Sequence, residues 1–120
     1  VFVVTNQSGV ARGYFTEDDV RALHAWLRAH FAYEGARIDA FRYCPHHPEG
    51  VVPAYARVCD CRKPAPGLFR ALIRDYGIDP ARSLMIGDSD RDLAAARAAG
   101  IPAHLFPGGN LDAFLTPLLA

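Results

Sequence analysis

Lysine is nearly absent from this sequence. Lys63 stands alone, so twelve of the thirteen basic residues are arginine. Methionine and tryptophan also occur once each. No apolar run approaches the eighteen residues that would predict a membrane-spanning helix. Net charge is missing too: thirteen basic residues balance thirteen acidic ones. That balance argues against a broad polyanion-binding surface, as does the lack of aromatics interleaved with basic residues. No basic segment precedes an apolar stretch and no cleavage-like pattern follows one, so no secretory leader is read. The three cysteines are too few and too clustered for a disulfide framework. They suit a metal site in a reducing compartment, and hence a cytoplasmic protein. There is no internal repeat and no linker.

What is present is ordinary for a folded domain. Hydrophobic residues make up 51% of the 120 residues and charged residues 22%, which excludes a disordered chain. A single domain over 1–120 is expected, burying roughly two-thirds of its unfolded surface. The sequence begins inside an apolar run, "VFVV", with no methionine and no lead-in. That is the look of a fragment or an N-terminally incomplete domain.

The run Val1 to Val4 predicts a strand buried on both faces, as parallel sheets require. A glycine-bearing loop, "TNQSGVARG", follows it. Thr16 then caps a helix over about Glu17 to Tyr33, and Asp19 completes a capping box. Val20, Leu23, Leu27 and Phe31 recur at helical spacing, with Trp26 beside them in the expected core. His24 and His30 read as packing or surface residues. A short strand is expected from Ile38 to Tyr43. Residues 44–64 hold four prolines and little periodicity, too long a stretch for a simple connection. Pro66 can open the next helix at its first position, with Leu68, Phe69, Leu72, Ile73 and Tyr76 as its apolar face and Gly77 as its stop. "SLMIGD" is a strand ending in an acid, Asp90 to Ala99 an alanine-rich helix, "IPAHLF" a strand, and Asn110 the cap of a last helix reaching Leu119. Such alternation predicts an α/β fold around a mainly parallel sheet. Ligands of such sheets sit beyond the carboxyl ends of strands, where Thr5 and Asp88 both fall.

Cys44 and His46 are separated by one residue, as are Cys59 and Cys61. Three sulfurs and one nitrogen match a structural zinc site, although paired ligands in the common finger form lie further apart. A filled site would close the proline-rich loop over 44–61 and contribute folding energy directly. Reduced, unmetallated cysteines remain the plainer alternative, and either His46 or His47 can supply the nitrogen.

Three stretches suit phosphate. "TNQSG" offers the Thr5 hydroxyl, the Asn6 amide and backbone N–H groups to an anion, though a plain polar turn reads the same way. Arg62 and Lys63 add two cations of different geometry. In "IGDSDRD", Asp88 follows a strand end directly. Oxygen ligands of this kind suit Mg2+, whereas Asp90 is better read as a favourable charge in the first turn of a helix.

Taken together, "VVTNQSGVARG", "YCPHHPEG", "VCDCRKPAPG" and "MIGDSDRD" resemble the haloacid-dehalogenase superfamily. Within it they resemble the D-glycero-D-manno-heptose 1,7-bisphosphate 7-phosphatase family. The resemblance covers nearly the whole sequence. It implies a Rossmann-like fold and Mg2+-dependent hydrolysis of a phosphate monoester on a small sugar bisphosphate. By resemblance, Thr5 binds the transferring phosphoryl group, with Asn6 beside it. Lys63 is the basic catalytic residue and Arg62 a substrate-phosphate contact. Asp88 completes the Mg2+ site and Asp92 supports it. Cys44, His46, Cys59 and Cys61 are the implied zinc ligands, and the preference for His46 rests on this likeness. No nucleic-acid or membrane partner is implied, and the complete enzyme is expected to be a monomer.

One departure stands out. The superfamily's D-x-D motif supplies the nucleophilic aspartate, which forms an aspartyl-phosphate, and the general acid and base. In the family it lies upstream of the "VVTNQSG" strand, where this sequence has nothing. The patterns Asp88-Ser89-Asp90 and Asp90-Arg91-Asp92 belong to a later motif. These 120 residues alone are therefore expected to be inactive and to leave sheet surface open. A histidinol-phosphatase is the alternative enzyme. A non-catalytic zinc-stapled remnant or binding module is the alternative of another class.

Overall fold

A computed structural model describes all 120 residues, Val1–Ala120. The chain forms two compact units, Val1–Arg62 and Lys63–Ala120.

The first unit contains β1 (Phe2–Asn6), α1 (Glu17–Tyr33) and β2 (Ala40–Cys44), followed by a long loop. β1 and β2 pair in parallel, with Phe2 opposite Ala40 and Asn6 opposite Cys44. α1 is the crossover between them. Its start is fixed as the sequence predicts: the Asp19 N–H donates to Thr16 Oγ1 at 3.2 Å, and the Thr16 N–H donates to Asp19 Oδ2 at 2.9 Å.

Packing of this unit departs from expectation in two places. β1 is half-buried along its length rather than buried on both faces, because β2 is its only hydrogen-bonded neighbour. In α1 only Val20 and His24 are buried. The His24 ring stacks on Phe41 with centroids 4.4 Å apart, and burial lowers its pKa. Leu23 and Phe31 are exposed. Trp26, expected in the core, is 60% exposed and stacks on His30 at 5.1 Å. A two-stranded sheet is a narrow platform. It buries one i, i+4 pair of the helix, leaves Leu27 half-buried and leaves Leu23 and Phe31 exposed.

Glu17, in the first turn of α1, ties the helix to the rest of its unit. It accepts from the Tyr43 hydroxyl at 2.7 Å and from the Tyr55 hydroxyl at 2.6 Å. The Tyr55 and Tyr43 bonds, in that order of size, hold its carboxyl below the ordinary value of 4.5.

The second unit runs α2 (Gly67–Tyr76), a 3-10 turn (Pro80–Arg82), β3 (Met85–Gly87), α3 (Asp90–Ala98), β4 (Ala103–Leu105) and α4 (Leu111–Leu119). β3 and β4 pair in parallel, with Met85 opposite Ala103 and Gly87 opposite Leu105. The parallel α/β order is therefore as read, and its strands form two separate pairs. Leu68, Phe69 and Leu72 are the buried face of α2. Tyr76 is 46% exposed and lies outside it. Pro66 takes the N-cap position, one residue before the place expected for it, and Gly77 ends the helix in the left-handed conformation at φ 61°. α3 buries Ala95 and Ala96 completely, and these small side chains let it lie close on β3 and β4. Asn110 caps α4, its Oδ1 accepting from the Ala113 N–H at 2.9 Å.

The depressed Glu17 carboxyl predicts a pH signature. A carboxylate whose folded pKa is lowered contributes stability above its unfolded value and loses it as pH falls through the folded value. Tyr43→Phe should cost about 1 kcal/mol at pH 7, the scale of one hydrogen bond to a partly exposed charge, and Tyr55→Phe should destabilise in the same direction. The difference from wild type should shrink as pH falls below 4.5. Denaturant midpoints measured from pH 7 to pH 3 check this, and a pH-independent difference would refute it.

Candidate functional site

Two clusters of chemistry-bearing side chains stand out, one in each unit. The first gathers at the carboxyl end of β2. Cys44 is the last residue of that strand and is fully buried. The loop returns Cys59 and Cys61 to it, with Sγ separations of 3.4 Å for Cys44–Cys59, 2.9 Å for Cys44–Cys61 and 3.5 Å for Cys59–Cys61. His46 Nδ1 lies 3.5 Å from Cys44 Sγ and 3.4 Å from Cys61 Sγ. All four donor atoms fall within 4.8 Å of one another. Tetrahedral zinc with Zn–S bonds of ~2.3 Å requires S···S distances of about 3.8 Å, so an opening of a few tenths of an ångström around Cys59, and of nearly an ångström between Cys44 and Cys61, admits the ion. The donor set fits.

The geometry separates the two histidines. His47 is buried and both its nitrogens are engaged elsewhere. Nδ1 accepts from the Glu49 N–H at 3.0 Å, and Nε2 lies 3.2 Å from an Arg12 guanidinium nitrogen. His46 is the one that faces the sulfurs. Burial pushes the Cys44 and Cys61 thiols up. Burial also raises Cys59, but donors from Cys44, Cys61 and the Arg62 backbone outweigh it and leave that thiol lowered.

Thr5 and Asn6 end β1, half-buried, opposite Tyr43 and Cys44. Gln7, to which the sequence pattern assigns nothing, donates from Nε2 to Thr5 Oγ1 at 3.2 Å. The Thr5 hydroxyl in turn points at the Asn6 carbonyl, 3.3 Å away. One lone pair of the hydroxyl is thus held while its hydrogen has only a long local acceptor. Arg62 closes this unit. Its Nε is buried and has no hydrogen-bond partner.

The second cluster is built on the turn after β3. Lys63 Nζ and Asp92 Oδ1 are 2.6 Å apart, with the side chains only 11% and 13% exposed. Asp92 also accepts from the Ser89 N–H at 3.3 Å, which completes one arm of a helix cap. Burial raises the Asp92 carboxyl, but the hydrogen bond and charge of Lys63, with help from Ser89, overcome this and leave it lowered. Gly87 makes the arrangement possible. A Cβ there would stand 2.5 Å from Asp92 Cβ and 2.8 Å from Oδ2. Asp88 is exposed immediately beyond the strand, and Asp90 is exposed in the first turn of α3. The sequence singles out Lys63 and Asp92 separately. Their pairing spans 29 residues, and no local pattern encodes it.

Comparisons with known proteins agree on a family. Residues 60–114 match the HAD-hydrolase-like family model. Over 119 residues the chain is 52% identical to the D-glycero-beta-D-manno-heptose-1,7-bisphosphate 7-phosphatase of Rhodopseudomonas palustris, covering 99% of this chain and 66% of that protein. It is 49% identical over 100 residues to the enzyme of the same name from Escherichia coli K12, covering 82% of this chain and 52% of that protein. Among solved structures, it superposes with a TM-score of 0.79 and 39% identity on the D,D-heptose 1,7-bisphosphate phosphatase of B. bronchiseptica complexed with magnesium and phosphate. That match covers 98% of this chain and 62% of the other. The chain thus spans between about half and two-thirds of the length of these relatives. With its parallel α/β elements, its Cys3His cluster and its Lys63–Asp92 pair, the chain belongs to the HAD-like hydrolase family, and along nearly its whole length it is similar to enzymes named heptose-1,7-bisphosphate 7-phosphatases.

Proposed function

We propose that the full-length protein hydrolyses the 7-phosphate of D-glycero-D-manno-heptose 1,7-bisphosphate. The observation that carries this reading is the 52% identity to a phosphatase of that name along 99% of the chain. The geometry supports it. Thr5 has a hydroxyl oxygen fixed by Gln7 and a hydrogen to give, which suits a phosphoryl oxygen. Lys63 is a compact ammonium held by Asp92, and such a cation offsets the charge that builds on a transferring phosphoryl group. Arg62 brings a guanidinium whose buried Nε lacks a partner, which suits a second phosphate contact. Asn6 extends the polar end of β1 toward substrate.

Asp88 would hold Mg2+, with Asp92 in support. When bound, the ion neutralises phosphoryl oxygens and orients them for displacement. The attacking aspartate and the general acid and base belong to a D-x-D strand that the family resemblance places outside residues 1–120. Cys44, His46, Cys59 and Cys61 would hold zinc as a closed structural site, with no open position for chemistry. Thiols kept for a metal favour a reducing compartment, hence the cytoplasm, and a monomer is the simplest assembly.

Two experiments test this. The full-length protein with Mg2+ should release phosphate from heptose 1,7-bisphosphate and much less from histidinol phosphate. Thr5→Ala, Lys63→Met and Asp88→Asn should each reduce kcat/KM by about 100-fold or more, and residues 1–120 alone should be silent. Preference for histidinol phosphate would reassign the substrate. Turnover by residues 1–120 would place the nucleophile inside them.

Elemental analysis of protein purified without chelator should give one zinc per chain. Cys61→Ser should lose most of it and lower the melting temperature by several degrees, since structural metal binding is folding energy. A Cys61→Ser protein with unchanged zinc and melting would dismiss the site. His47→Ala, by contrast, should retain the metal.

A further inference from the structure

The motif "YCPHHPEG" ends in a glycine that neither metal binding nor phosphate binding explains. Gly50 lies against the loop that follows β1. A Cβ placed on it would stand 2.8 Å from both the Cβ and the carbonyl oxygen of Ala11. Ala11 itself is 0% exposed. Its carbonyl accepts two hydrogen bonds from the residues just after Gly50, from the Val51 N–H at 2.8 Å and the Val52 N–H at 3.0 Å. At the other end of the same loop, the Gln7 N–H donates to the carbonyl of Cys44 at 2.8 Å. Arg12 reaches His47 between these points. Loop 7–13 is thereby held at both ends by the loop that carries the Cys3His cluster.

These contacts have a chemical consequence. Thr5, Asn6 and Gln7 take their positions from where β1 ends and loop 7–13 begins. The Gln7 backbone is tied to a cluster cysteine, while its side chain holds the Thr5 hydroxyl. The shape of the end of β1 therefore depends on the closure of the metal loop, although no cluster atom need touch a substrate.

We propose that Gly50 is a positioning residue. It lets the metal loop close on Ala11, and this contact holds loop 7–13, with Gln7 and the Thr5 hydroxyl, in the geometry that receives a phosphoryl group. The catalytic half of this statement rests on the phosphatase reading. The structural half does not. Adding one methyl group at position 50 opens the Ala11 contact, because neither the backbone carbonyl nor the buried methyl of Ala11 can swing aside as a flexible side chain would. The two bonds to the Ala11 carbonyl then lengthen or break. Binding that depends on loop 7–13 weakens in ground state and transition state alike, so KM moves more than kcat.

The test uses the full-length protein as Gly50→Ala, with Val58→Ala, an exposed position of the same loop, as control. Zinc content, amide hydrogen exchange and steady-state kinetics are measured on each. Gly50→Ala should keep one zinc per chain. Exchange at Val51 and Val52 should quicken at least tenfold, with α3 unaffected. KM, and Ki for inorganic phosphate, should rise about tenfold, with kcat changing less than threefold. Val58→Ala should match wild type throughout. A zinc-loaded Gly50→Ala protein with wild-type exchange and wild-type KM overturns the proposal.

If Gly50→Ala does not fold, chelation of the wild-type protein decides. Faster exchange in 7–13 with α3 still protected supports the clamp. Unchanged exchange in 7–13, or loss of protection in both units together, overturns it. A wild-type protein that releases no phosphate from the sugar bisphosphate, yet shows the expected exchange changes, would end the phosphatase reading and leave the clamp standing.

Discussion

The parallel register of β1 on β2 is the constraint on which the first unit depends. Asn6 opposite Cys44 sets the polar end of one strand beside the first thiol of the other. Parallel strands end at the same side of a sheet, so both loops must leave from one edge and pack on each other. A slip of one residue would turn the side chains of one strand to the opposite face of the sheet. If β2 were the strand that moved, Cys44 would turn away from Cys59 and Cys61 and the thiols would have no common point. Val10 and Ala11, buried in the loop that leaves β1 at this edge, are β-branched and small. Such side chains let the two loops approach closely.

The second unit solves a different problem, that of keeping an ammonium charge in a nearly dry place. Burying one partner of an ion pair without the other costs several kcal/mol. Asp92 answers Lys63, and Ser89 answers Asp92. The absence of a side chain at Gly87 lets the carboxylate sit low enough to do both. Burial and charge work against each other on Asp92, and the charge prevails. An arginine at position 63 would carry the same charge with a broader, planar head. This close pairing therefore gives a physical reason for the one lysine in a sequence otherwise furnished with arginine.

Much of this was legible in the sequence, for reasons that are local. The Thr16–Asp19 cap, the Gly77 stop and the alternation of strands with helices follow from spacing within a turn or two. The three cysteines of the cluster were legible because soft donors gathered in a loop with little else to fold around, while the choice of His46 over His47 came from the family likeness. Where the sequence reading went astray, the missing information was tertiary. Trp26 has the right periodicity for a core position, yet periodicity does not reveal how wide a platform the helix will meet. The continuous apolar run of β1 does not say how many neighbours the strand has. No local pattern says which residues Gly50 and Gly87 lie against. Each matters because of one residue distant in sequence or across a turn, Ala11 in one case and Asp92 in the other.

The position of Trp26 has a further consequence for anyone watching this protein fold. It is the sole indole, it belongs to the first unit, and it is largely in contact with solvent through one side of its ring. Emission from such a chromophore reports the state of one helix surface. It is nearly silent about the alanine-packed α3 and the buried Lys63–Asp92 pair. A denaturation curve followed by tryptophan light would record the loosening of α1 and miss the loss of the residues that surround Lys63. Backbone dichroism or calorimetry would register both.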